Sequence, residues 1–165
     1  MSTPALRLAW TLSALTAALL VGGCAVSSMA AHPSTHPDYS RSNVTTSEYD
    51  AEAATLTLAP GWSWPKNPVP ATYRGVEIRY EKGYGSQAAD QYWFCSWALR
   101  ALHSRPDTPV RLEAVEHLEA LRNTFYYEVL HPDSKPYVER ELRRAARGNL
   151  ALLRIDVRAN CQEAK

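Results

Sequence analysis

Apolar residues recur at three- and four-residue spacing through the second half of the chain, and that period predicts helices. From Ser86 to His103 there is neither proline nor glycine, and Tyr92, Cys95, Leu99 and Leu102 share one face. Ser86 is placed to cap this helix, and Asp90 suits its positive end. Thr108-Pro109 opens a second helix, whose stripe Ala114, Leu118, Leu121, Phe125 and Val129 runs until His131-Pro132 ends it. Asp133 or Ser134 opens a third, with Pro136 in its first turn and Val138, Leu142, Ala145 and Ala146 facing inward. Past Gly148-Asn149 the spacing resumes at Leu150, Leu153, Val157 and Cys161, as one long helix or as two joined at a bend.

Further upstream the period shortens to two. Leu56 and Leu58 alternate with threonine between Thr55 and Ala59, and Val76, Ile78 and Tyr80 alternate with Glu77, Arg79 and Glu81. These read as two short strands able to pair as an antiparallel ribbon laid on the helices. Pro65, Pro68 and Pro70 forbid helix in the aromatic loop between them. From Cys24 to Ala53 the chain is rich in Ser, Thr, Ala, His and Pro and nearly lacks large aliphatic side chains. Such a segment buries too little apolar surface to offset the entropy lost on ordering, which predicts a flexible tether. The expected organisation is therefore a leader over 1–23, a tether over 24–53 and one globular domain over 54–165. The expected fold class is mainly α, a three-helix bundle-like domain with a small two-stranded antiparallel ribbon.

The leader carries an address. Arg7 precedes a fourteen-residue apolar run, Leu8 to Val21, that stops at Val21-Gly22-Gly23-Cys24. A basic start, a short apolar core and small residues before a boundary are the order of an export signal. The run is shorter than the roughly 20 residues that span a bilayer. This stretch resembles a bacterial lipoprotein signal peptide, with Val21 to Cys24 matching the lipobox, and the resemblance covers the leader alone. It implies that Cys24 becomes the N-terminus, carries diacylglycerol and acyl chains, and holds the protein in the lipid bilayer on the extracytoplasmic face of the cell membrane. An ordinary cleaved signal, using the small residues Ala25, Ala30 and Ala31, and an apolar helix belonging to the fold are the alternatives.

With Cys24 lipidated, Cys95 and Cys161 remain, and outside the cytoplasm an even pair is most simply a disulfide. An unbroken third helix would run past the far end of the second, which at about 1.5 Å per residue is roughly 30 Å long. A break near Gly148, or a splayed third helix, brings the two cysteines together. Loss of Arg7 with the leader leaves 17 basic and 17 acidic residues. A balanced charge argues against nucleic acid as partner.

No hydrolase, kinase, nucleotide-binding or metalloprotease signature is present, and no motif asks for a cofactor or a metal. His103, His117 and His131 read as helix-end and surface histidines. Glu116 and Glu119 are placed to meet the arginines Arg140, Arg143, Arg144, Arg147, Arg154 and Arg158 across the bundle, or those arginines face an acidic partner. Trp62, Trp64, Tyr84, Trp93 and Trp97 form core or a surface that stacks on a ligand, with both roles open to different residues. The leading expectation is a non-enzymatic, lipid-anchored envelope protein that contacts another envelope protein or a wall polymer. The second is a binding module for a glycan or a small apolar ligand built on those five rings. An enzyme would need Glu77, Glu81 or Asp90 to converge with a histidine.

Overall fold

The computed structural model describes residues 38–161. The leader, the lipobox with Cys24 and the first part of the expected tether lie outside the described residues. Among those that are described, no helix is long and apolar enough to cross a membrane. The fold is mainly helical, as the periodicity predicts.

Its centre is α2, Tyr84–His103. Six consecutive residues, Trp93 to Ala98, are buried, so no face of this stretch is open to water. A helix apolar on all sides is stable only when enclosed. The others do enclose it: α1 (Ser42–Ala53), α3 (Pro109–Glu119), α4 (Phe125–Val129) and α6 (Ala151–Asn160) all pack on α2, while α5 (Lys135–Ala146) packs on α3 and α6. Trp93, Phe94, Trp97 and Ala101 meet Leu118, Leu121, Leu142, Leu153 and Val157 in one core.

The sequence signals for α3 and for the end of α5 hold in detail. The Thr108 side chain accepts the Arg111 N–H, and Pro109 sits in the first turn. Gly148 has φ +80°, its N–H donates to the Ala145 carbonyl, and the Asn149 N–H donates to the Arg144 carbonyl. This paired closure at a left-handed residue ends α5 and turns the chain into α6. The bend brings Cys161 to Cys95, their Cα atoms 5.5 Å apart in the disulfide.

Three expectations need correction. The tether does not extend to Ala53, because β1 (Tyr39–Arg41) and α1 belong to the domain. β1 pairs antiparallel with β4 (Arg79–Glu81), Ser40 opposite Tyr80. α1 buries only Thr45 and Tyr49, so it has no apolar stripe to announce it. It is held by its approach to α2, where the Glu48 carboxylate accepts the N–H groups of Gly83 at 3.1 Å and Gly85 at 3.3 Å. Glu48 thus does at the start of α2 what Ser86 was expected to do.

The Thr55–Ala59 segment is not a strand and does not pair with 76–80. Two of its backbone groups bond side chains of α2: Ala59 N–H donates to Ser96 Oγ at 3.1 Å, and Trp97 Nε1–H donates to the Thr57 carbonyl at 2.8 Å. Leu56 and Leu58 pack on the core. The second ribbon is instead a tight hairpin of β2 (Thr72–Tyr73) and β3 (Val76–Glu77).

The helix expected to run from Thr108 to Val129 is interrupted. A 3-10 turn, Ala120–Asn123, leads to an extended Thr124, after which α4 starts afresh. Thr124 Oγ1 accepts the Tyr127 N–H, and Asp90 Oδ2 accepts the Tyr126 N–H at 2.7 Å. These two caps satisfy the first turn of α4 and offer the chain a better state than a continuous helix. Val129, expected on the inward stripe, is exposed.

Candidate functional site

The five candidate aromatic residues separate into two groups. Trp93 and Trp97 are 3 % and 2 % exposed, so they are core and not a binding surface. His117 stacks on Trp97 with centroids 3.6 Å apart, which gives that histidine a packing role rather than a purely superficial one. Trp62 and Trp64 are half-buried and pack against Tyr92, with ring centroids 5.5 and 5.6 Å away. The loop carrying them is pinned by the Tyr92 hydroxyl, which donates to the Ser63 carbonyl at 2.9 Å. Of the five, Tyr84 alone is exposed. Its ring leans on Tyr80, whose hydroxyl donates to the Pro70 carbonyl.

Tyr84 lines an open cleft of about 470 Å³. Tyr92 and Tyr126 supply further rings, Pro65 and Pro68 supply rigid apolar edges, and Gln87 and Asn160 supply amide donors and acceptors. Flat rings beside amides are a surface that can stack on a sugar face and bond its hydroxyls.

Gln91 and Tyr126 form a wall shared with a second, narrower cavity of about 330 Å³. This one is acidic: Asp90 from α2, Glu141 from α5 and Asp156 from α6 line it, with Asp133 at the head of α5. Asp90 is fully buried and Glu141 is 3 % exposed. Desolvation pushes Asp90 up to about 7; the Tyr126 N–H bond opposes that shift, and the neighbouring Glu52 charge adds to it. Glu141 is pushed up to about 7 by burial and then by the Asp156 charge. Burial also raises Asp156, against a hydrogen bond from Asn160. Tyr126 is raised by burial and by the charges of Asp156 and Glu141. Glu141 Oε1 has no hydrogen-bond partner among the described residues, while the Asp90 carboxyl also bonds with the Glu52 and Thr124 side chains.

The sequence singles out Asp90 and leaves Tyr126 open as core or binding surface; Glu141 and Asp156 were missed as site residues. A signal existed, because Glu141 lies between the inward positions Val138, Leu142 and Ala145, and Asp156 follows Leu153 by three. An acid on an inward stripe is unusual in a core.

Glu77, Glu81 and Asp90 do not converge. Glu77 and Glu81 are exposed, Glu77 beside Arg79, while Asp90 is enclosed in a cavity whose lining residues include no histidine. His103 and His131 are exposed. The ion pairs also differ from those expected. Arg100 meets Glu113 at 3.3 Å, and Arg122 grips Glu139 with two bonds at 2.9 and 3.1 Å. The Tyr127 hydroxyl donates to the same Glu139 at 2.8 Å. The adjacent pair Tyr126 and Tyr127 therefore divides, one ring to the cavities and one to this ion pair. Arg140, Arg143, Arg144, Arg147, Arg154 and Arg158 are all exposed on α5, α6 and the turn between them. Comparison with protein-family models, with curated proteins and with solved structures finds no match to the chain.

Proposed function

We propose that the chain is a lipid-anchored protein of the cell envelope, held on the extracytoplasmic face through an acylated Cys24, and that it acts by binding an envelope protein or wall polymer. The observation that carries the reading is the pairing of Cys95 with Cys161. Disulfides persist in oxidising compartments, and a lipobox-type leader supplies the route to one. The third cysteine is then the lipid acceptor. The exposed arginines of α5 and α6 support contact with an acidic polymer or protein surface, since guanidinium groups bind carboxylate and phosphate in paired geometry.

Intact mass of the protein isolated from its own cells tests both parts. The expected species starts at Cys24, carries diacylglycerol and a further acyl chain, and gains the mass of two hydrogens on reduction. A cytosolic species that retains Met1 and carries no lipid would overturn the proposal.

A second reading is favoured by the tyrosine cleft. A glycan or small ligand stacked on Tyr84 would quench tyrosine and tryptophan emission on titration. Tyr84→Ala should reduce that affinity at least tenfold, the equivalent of about 1.4 kcal/mol. An unchanged titration in the variant would remove Tyr84 from the site.

A further inference from the structure

We propose that the acidic cavity walled by α2, α4, α5 and α6 is a binding site for a small organic cation, an alkylammonium or guanidinium group on a short aliphatic chain. The site adjoins the tyrosine cleft but rests neither on that cleft nor on the membrane anchor.

Its charge is one-sided. Asp90, Asp133, Glu141 and Asp156 line the cavity, and none of the lining residues is a lysine, an arginine or a histidine. Buried polar atoms in folded proteins are nearly always partnered. Here the Glu141 side chain is 97 % buried, yet its Oε1 has no donor, whereas Asp90 gives one oxygen to the Tyr126 N–H and also bonds with the neighbouring Glu52 and Thr124 side chains. A structural cap explains Asp90 Oδ2. It does not explain a carboxyl on α5 and another on α6 turned toward the same space. Proton uptake would relieve their repulsion but leave the acceptor capacity of the oxygens unused. A cation with several N–H donors would satisfy both charge and hydrogen bonding.

The remaining walls define which cation. Phe94, Tyr126 and Tyr137 contribute rings, and a ring face attracts an ammonium or guanidinium while also covering its carbon chain. Leu121 and Leu142 add apolar wall. A divalent metal needs several oxygen ligands converging at about 2.0–2.6 Å, and no group of acids, histidines or cysteines among the described residues could hold a metal ion. The volume of about 330 Å³ lies at the small end of ligand pockets, which suits a chain of a few carbons rather than a peptide or an oligosaccharide.

Isothermal titration of the whole chain in non-ionic detergent tests this. The probes are 1,4-diaminobutane, its guanidino analogue agmatine, uncharged 1,4-butanediol and magnesium chloride. The expected result is saturable one-to-one binding of at least one of the two organic cations, at least tenfold tighter than butanediol or magnesium. Protons should be released on binding at pH 7, seen as heats that vary with the buffer's ionisation enthalpy. Asp90, Asp133, Glu141, Asp156, Tyr126 and Tyr137 line the site, with Glu52 beside Asp90, and the carboxyls held near neutrality are the source. Glu141→Gln should weaken binding at least tenfold. Asp156→Asn, at a less buried position, should weaken it also and covers the case in which the first variant does not fold. Leu112→Ala, exposed on α3 and outside both cavities, should leave the affinity unchanged. Absence of saturable binding by both organic cations, equal affinity for butanediol or magnesium, or full affinity in a folded Glu141→Gln or Asp156→Asn variant would overturn the proposal.

Discussion

At Gly85 a methyl group has nowhere to go. A Cβ built there would lie 2.0 Å from the Thr45 carbonyl oxygen and 2.7 Å from the Tyr49 nitrogen, both backbone atoms of α1. Backbone cannot swing aside as a side chain can, so α1 would have to lift from α2 and take the Glu48 cap with it. Gly85→Ala should cost about 3 kcal/mol or more. Gly148→Ala meets open space and has only its left-handed backbone to resist it, so its cost should be about 1 kcal/mol. Urea midpoints of the two variants check the contrast; equal losses would contradict it. The buried acids act through pH. A carboxyl whose folded value is raised binds its proton more tightly in the native state, so its ionisation disfavours folding. For Asp90 and Glu141 this destabilisation should grow from about pH 4, the unfolded value, to about 7, the folded one. Glu139, held below its usual range by Arg122 and then by Tyr127, works in the opposite sense and loses its stabilising contribution only as pH falls through its lowered value. Urea midpoints should therefore fall between about pH 4 and pH 7, and Glu141→Gln should flatten the slope. Asp90 also shows the limit of local reading. Its place in the first turns of α2 was legible, but the backbone N–H it caps lies 36 residues further on.

Among the elements, those that declare themselves by apolar spacing or by cap chemistry were readable: α2, α3, α5, α6 and the turn at Gly148. α1 was not, because its two buried residues are a threonine and a tyrosine and its hold on the domain is a carboxylate on the next helix's N-terminus. The residues around Leu56 and Leu58 alternate as a strand would, yet their backbone bonds go to the end of α1 and, through Ser96 and Trp97, to α2. Alternation reports which side chains are covered, not what the backbone pairs with. α6 is a short helix that buries Leu153 and Val157 and is tied down at its end by Cys161. The disulfide spans 66 residues, and closing such a loop in the unfolded chain is worth about 4 kcal/mol by the chain-entropy relation. Reduction, or Cys95→Ser with Cys161→Ser, should lower stability by that order. Amide exchange should rise first in α6. Uniform loss of protection across α2 and α6 together would argue that α6 does not open on its own.

Over the molecule as a whole, one enclosed helix organises the rest, and the places where that enclosure leaves space are the two adjoining cavities. Neither was visible as a motif, since each draws its residues from three or more separated segments. What could be read was the raw material: rings clustered from Trp62 to Trp97, and acids on stripes that face inward. Both roles were open to different rings, and packing divides them into core, loop anchors and the exposed Tyr73 and Tyr84. Gln91 and Tyr126 border both spaces, and that common partition has a thermodynamic consequence. If an occupant on one side shifts the Tyr126 ring, it changes the affinity on the other, and the effect must be reciprocal. A tenfold gain for a sugar in the presence of a diamine would require the same tenfold gain for the diamine in the presence of the sugar. Two modest sites would then report on each other.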